Sequence, residues 1–238
     1  MNIPEHKILE SKEEKRARHA WYAYDFGNSA YASIILLAVF SAYFKNVVVG
    51  GAEGTRLWGI AVGAAAIIVA ILSPILGAIA DVARSKKLFL GIFTAISIAF
   101  TAALFFVGPG DVVMAMVFFI LAEIGYRGAQ VFYDALLVDV STPETVGNIS
   151  GKGWAIGMLG GILALVLVLV PMQFAGEVFK PNHAFLITAV VFLVSSIPTF
   201  LYVKEKHEVV EQLPLGKLIK DSFQKLADTF KEIRTYKE

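Results

Sequence analysis

Between residues 112 and 138 the chain is apolar for long enough to cross a bilayer, yet that run holds Glu123, Arg127 and Asp134. A charge centred in a lipid-facing helix costs roughly 2.5–3.5 kcal/mol on insertion scales. On a helix turning about 100° per residue, with Glu123 at zero, Arg127 falls at about 40°, Gln130 at about −20° and Asp134 at about 20°. All four share one narrow face. Such a face must look into protein or a wet cavity and not into lipid. Two readings stay open: a structural Glu123–Arg127 pair with Asp134 near the headgroups, or the wall of a solute or ion pathway.

The rest of the composition fits a membrane bundle. The 238 residues are 57% hydrophobic and 17% charged, against about 25% charged in a soluble domain. Six segments are long enough to span about 30 Å at 1.5 Å per residue, near 22–46, 57–80, 88–107, 112–138, 153–173 and 183–203. Glycine clusters and Pro181-Asn182 punctuate them. The fold class expected is all-α membrane protein. Three regions follow: a charged arm over 1–20, the bundle over 21–203 and an amphipathic segment over 204–238.

Basic residues are unevenly shared between the two ends of the bundle. Lys7, Lys12, Lys15, Arg16 and Arg18 precede the first span; Arg84, Lys86 and Lys87 follow the second; Lys204 and Lys206 follow the sixth. The other end has Lys45, Arg56 and Lys180. The positive-inside rule then predicts an integral protein of the cytoplasmic membrane with both termini cytoplasmic. The arm has no apolar core or small-residue cleavage site, so the first span is read as an uncleaved helix.

Several chemistries find no support. There is no cysteine, and His6, His19, His183 and His207 lack metal-ligand spacing, so neither a metal nor a cofactor is expected. Ser150 sits in a Pro143- and Gly147-marked turn without a histidine partner, which disfavours a serine nucleophile. Acids interleave with bases along the closing segment, which disfavours nucleic acid as a partner. Gly59 and Gly63 in the second span, and Gly153, Gly157, Gly160 and Gly161 in the fifth, read as small-residue stripes for close helix packing. In the first span Asp25 and Asn28 lie one turn apart, with Ser29 extending the same face. A cap or headgroup position for Asp25 and a functional role weigh about evenly.

Some of these blocks resemble a known family. Gly77-x-x-x-Asp81, followed by Lys86-Lys87, resembles the loop between helices two and three of the major facilitator superfamily. Trp21-x-x-Tyr24-Asp25-Phe26-x-Asn28-Ser29-Ala30 is similar to the opening of its vacuole effluxer, autophagy-related amino-acid effluxer-like, branch. So are Val131-Phe132-Tyr133-Asp134-Ala135-x-Leu137-x-Asp139 and Pro143-Glu144-x-x-Gly147-x-x-Ser150-Gly151-x-Gly153-Trp154. The resemblance implies the N-terminal half of a major facilitator fold, built from inverted three-helix repeats, with helices one and four lining a midplane cavity. It also implies a cytoplasmic gate at Gly77, Asp81, Lys86 and Lys87. Arg127 lies outside the resemblance.

A member of that family has twelve helices, and six are seen here. A fragment or split product is the favoured expectation, beside a half-transporter with a separate second half and a homodimer. The function expected is secondary active transport of a small polar solute, with amino acids the class the resemblance implies. Asp25, Asn28, Glu123, Arg127, Gln130 and Asp134 would form the substrate and ion pathway. A non-transporting interaction protein, whose buried charges pair with a partner helix, is the alternative. An intramembrane enzyme ranks last, since no catalytic pair sits at workable depth.

Overall fold

The computed structural model describes residues 11–82, 86–174, 178–206 and scattered positions between 216 and 224, with Asp81 and Val82 described by their backbone alone. Among the described residues six helices are long and apolar enough to cross a membrane. They are α1 (Lys12–Val49), α2 (Gly51–Ala80), α3 (Lys86–Phe106), α4 (Val112–Val140), α5 (Val146–Phe174) and α6 (Pro181–Tyr202). The chain is an all-helical membrane protein. The amphipathic helix expected over 204–238 falls mostly outside the described residues.

Two helices start earlier than their apolar runs. α1 begins within the charged arm because Ser11 and Glu14 form a capping box: the Ser11 Oγ accepts from Glu14 N at 3.1 Å, and Ser11 N donates to Glu14 Oε2 at 2.9 Å. α5 starts at Val146, inside the stretch read as a loop, after a turn in which Val146 N donates to Thr142 O at 2.9 Å. Pro181 occupies the first turn of α6, where its missing N–H costs nothing. α1 widens to π-helix over Ala32–Ala38 and Phe44–Val49, and ends at Gly50 and Gly51, both with positive φ.

The helices pack crosswise. α1 lies against α5 and α6, α4 lies against α2 and α3, and α3 also touches α6. The first helix of each three-helix unit thus packs on the second and third helices of the other. This is the exchange expected of two repeats related by a pseudo-twofold.

Glycines set the closest approaches. A Cβ on Gly160 would stand 2.7 Å from Phe26 Cα, and one on Gly161 2.5 Å from Ser33 Oγ, so the α5 stripe admits the α1 backbone. On α4, Gly125 and Gly128 do the same for α3, at Ser97 and Phe93. The α2 stripe departs from expectation: a Cβ on Gly59 or Gly63 would meet nothing within 4 Å. Only 17% of the most apolar window of α2 is buried, the smallest share of the six. The identical spacing therefore packs a helix in α5 and stays open in α2.

Candidate functional site

Glu123 is buried, and both its oxygens are engaged. Oε1 accepts from Arg127 Nε at 2.9 Å, one turn along α4, and Oε2 accepts from the Tyr31 hydroxyl of α1 at 3.1 Å. The Tyr31 ring stacks on Tyr126 at 4.6 Å between centroids, and the Arg127 guanidinium stands 5.2 Å from the centre of Tyr126. The pair is asymmetric: the Glu123 side chain is 7% exposed and that of Arg127 46%. The acid is anchored in the protein while the guanidinium reaches into open space.

A second bridge from α1 lies beyond Arg127 on the same face of α4. Asn28 Nδ2 donates to Gln130 Oε1 at 2.8 Å, and Gln130 Nε2 donates to Asp134 Oδ1 at 3.1 Å. Asn28 is buried, and its Oδ1 has no hydrogen-bond partner among the described residues. Side chains thus bridge α1 and α4 at this level. Asp25 and Ser29 also border α5: a Cβ on Gly157 would collide with the Asp25 carboxyl and stand 2.7 Å from Ser29 Oγ, while the Asp25 carboxyl stays within electrostatic reach of Asp134 on α4. Of Asp25, Asn28 and Ser29, only Asn28 hydrogen-bonds to α4 among the described residues.

Aromatic packing supports this region. Tyr133 is stacked on Trp21 at 4.5 Å and on Tyr24 at 4.9 Å. Trp21 Nε1 donates to Tyr133 O at 3.1 Å, and the Tyr24 hydroxyl contacts Thr94 Oγ1 at 2.7 Å. The two sequence blocks carrying Trp21-x-x-Tyr24 and Tyr133-Asp134 therefore meet in space. Tyr31 and Tyr126, which tie Glu123 to α1, escaped the sequence reading because a tyrosine in an apolar run is indistinguishable from core. Their one available signal was register: Tyr31 lies one turn after Asn28.

Of the expected gate residues, Lys86 and Lys87 open α3, while Gly77 lies in the last turn of α2 and Asp81 follows it. Lys86 Nζ pairs with Asp139 Oδ2 at 3.1 Å and donates to Ala135 O at 3.2 Å, at the end of α4. Lys87 Nζ donates to Phe200 O and Val203 O at 2.8 and 2.7 Å, supplying the orphan carbonyls at the end of α6. In return Glu205 accepts from the backbone N of Lys86 at 2.8 Å and of Lys87 at 3.1 Å, an anion on a helix N-terminus. Both lysines thus have partners inside this chain, through Asp139 and Glu205. A Cβ on Gly77 would meet nothing within 4 Å; the Asp81 side chain lies outside the described residues. Glu205 had no sequence signal, since its capping role depends on α6 ending beside α3.

Among the described residues no group of three His, Cys, Asp or Glu is placed to hold a metal ion.

The family model described as "Vacuole effluxer Atg22 like" matches residues 59–141 and 138–238. An uncharacterized major-facilitator-type transporter, YxiO, of Bacillus subtilis is 30% identical over 233 residues, which is 93% of this chain and 54% of that protein. The multidrug resistance protein MdtG of Dickeya zeae is 27% identical over 197 residues, 81% of this chain and 45% of MdtG. An uncharacterized protein of Aquifex aeolicus is 22% identical over 85% of the chain. The chain spans about half the length of the curated relatives it matches. No solved structure matches it. With a family model covering most of its length and the crossed three-helix packing described above, the chain belongs to the vacuole effluxer Atg22-like family of major facilitator transporters.

Proposed function

We propose that this chain forms the N-terminal six-helix half of a secondary active transporter that moves a small polar solute by alternating access. The observation that carries this reading is the Glu123–Arg127 pair, with the acid buried and the guanidinium 46% exposed. A guanidinium held by one edge keeps its terminal N–H groups for a planar anion such as a carboxylate. Amino acids are the solute class that the family resemblance implies. In this reading Asn28 and Gln130 orient the solute by hydrogen bonds, and Asp25 and Asp134 carry a proton or meet a cationic group. Opposite them stands a second six-helix half, supplied by another segment or by a second copy of the chain.

Gly77, Asp81, Lys86 and Lys87 form the gate where α2 ends and α3 begins, with both termini cytoplasmic. Lys86 and Lys87 act there by fixing the ends of α4 and α6, and Asp81 acts toward the opposing half. The alternative, a non-transporting protein whose buried charges await a partner helix, is less well supported. Glu123 already has both oxygens satisfied within the chain.

The test is flux of labelled amino acids in proteoliposomes holding the protein with any second half that co-purifies. Saturable flux should be abolished by Arg127→Ala and by Glu123→Gln, with membrane insertion intact. Flux unchanged in both variants, or a stoichiometric partner with no flux, would overturn it.

A further inference from the structure

On the side of α1 turned away from Glu123, α5 and α6 diverge and leave an open groove of about 340 Å³. It is lined by His19, Tyr22, Ala23 and Phe26 of α1, Ile156 of α5 and Ser195 of α6. The deep end is closed by tight packing. A Cβ on Gly160 would stand 2.7 Å from Phe26 Cα, and one on Gly27 2.8 Å from Ser195 Cβ. The groove is therefore a wedge, apolar along its length, opening toward the amino-terminal end of the bundle.

The mouth of this wedge is basic. With His19 at zero on the helical wheel, Lys15 falls at about −40° and Lys12 at about 20°, so both continue the groove face of α1. Lys152 stands one turn before Ile156 on the opposite wall. Lys12, Lys15 and Lys152 are exposed, and among the described residues none of them forms an ion pair. The nearby acids are occupied: Glu13 pairs with Lys204 at 2.7 Å, and Glu14 caps its own helix at Ser11. The exposed Trp154 marks the bilayer interface at this level of α5.

We infer that this wedge is a binding site for one anionic phospholipid. An acyl chain lies along Ala23, Phe26 and Ile156, and the phosphate sits among Lys15, His19 and Lys152. The charge pattern selects the lipid: an apolar groove alone accepts any acyl chain, whereas uncompensated cations at its mouth favour a negative headgroup by about 1 kcal/mol each. The site lies on the side of α1 away from Glu123 and does not depend on transport.

Native mass spectrometry of the chain in detergent, titrated with phosphatidylglycerol or phosphatidylcholine, tests this directly. One phosphatidylglycerol per chain should be retained in preference to phosphatidylcholine. Lys15→Gln and Lys152→Gln should each weaken retention about fivefold, the equivalent of that charge contribution. Ala23→Leu should displace the tail without altering charge. If that variant misfolds, the two exposed charge variants decide alone. Equal retention of both lipids, or undiminished phosphatidylglycerol in the double charge variant, would overturn the proposal. So would displacement of the lipid by inorganic phosphate at equal concentration, which would make the site a free-anion site.

Discussion

Tyr31 of α1 donates its hydroxyl to Glu123 of α4 at 3.1 Å, on the oxygen that Arg127 does not use. The intramembrane acid is thus shared between the two helices that begin the two three-helix units. Tyr31→Phe keeps the ring stacked on Tyr126 and removes only the donor. A buried acceptor left unsatisfied costs about 1–3 kcal/mol, so the melting temperature of the purified chain should fall. Tyr31→Phe in a Glu123→Gln background should cost less, because the amide no longer carries the charge that the hydroxyl stabilises.

The glycine stripes predict opposite outcomes for one substitution. Gly160→Ala places a methyl against the Phe26 backbone, which cannot rotate away, and overpacking of this kind costs about 1–3 kcal/mol. Gly63→Ala meets open space and should stay within about 0.5 kcal/mol of the parent in the six-helix chain. Thermal melts of the two variants side by side give the comparison.

The clasp between α3, α4 and α6 is tested at Asp139, whose side chain is 1% exposed. Lys86→Met removes its charged partner and leaves the Lys206 N–H as a remaining donor. A lost hydrogen bond to a charged group is worth about 1.5–3 kcal/mol. The single variant should therefore be measurably less stable, and Asp139→Asn in the same background should recover part of the loss.

Hydropathy was sufficient for the six spans because lipid demands long apolar helices, and a 100° wheel was sufficient for the Glu123–Arg127–Gln130–Asp134 face. What escaped has physical causes. The start of α1 at Lys12 is set by the Ser11–Glu14 capping box, a local hydrogen-bond pattern that charge content hides. Gly59 and Gly63 share the spacing of the α5 glycines, but spacing states only that a helix can approach. Asp25 carries the same polar signal as Asn28, yet it borders Gly157 of α5 as well as the Asp134 side, because three residues along a helix rotate a side chain by about 60° from its neighbour's direction. Glu205 and Tyr31 act through residues more than ninety positions away, a relation present only after folding.

In a transporter half the α4 polar face borders water and solute. The protein contains no cysteine, so single cysteines introduced into it can be read without background. Arg127→Cys and Gln130→Cys should react with a membrane-impermeant thiol reagent in intact membranes, and the transported solute should slow the reaction at Gln130→Cys, which keeps the Arg127 guanidinium. Leu163→Cys, on the exposed apolar face of α5, should stay unreactive. Inert cysteines at 127 and 130 would show that this face is sealed in protein or lipid, and labelling as fast at 163 would show that reactivity does not single out the α4 face; either result would contradict a pathway there.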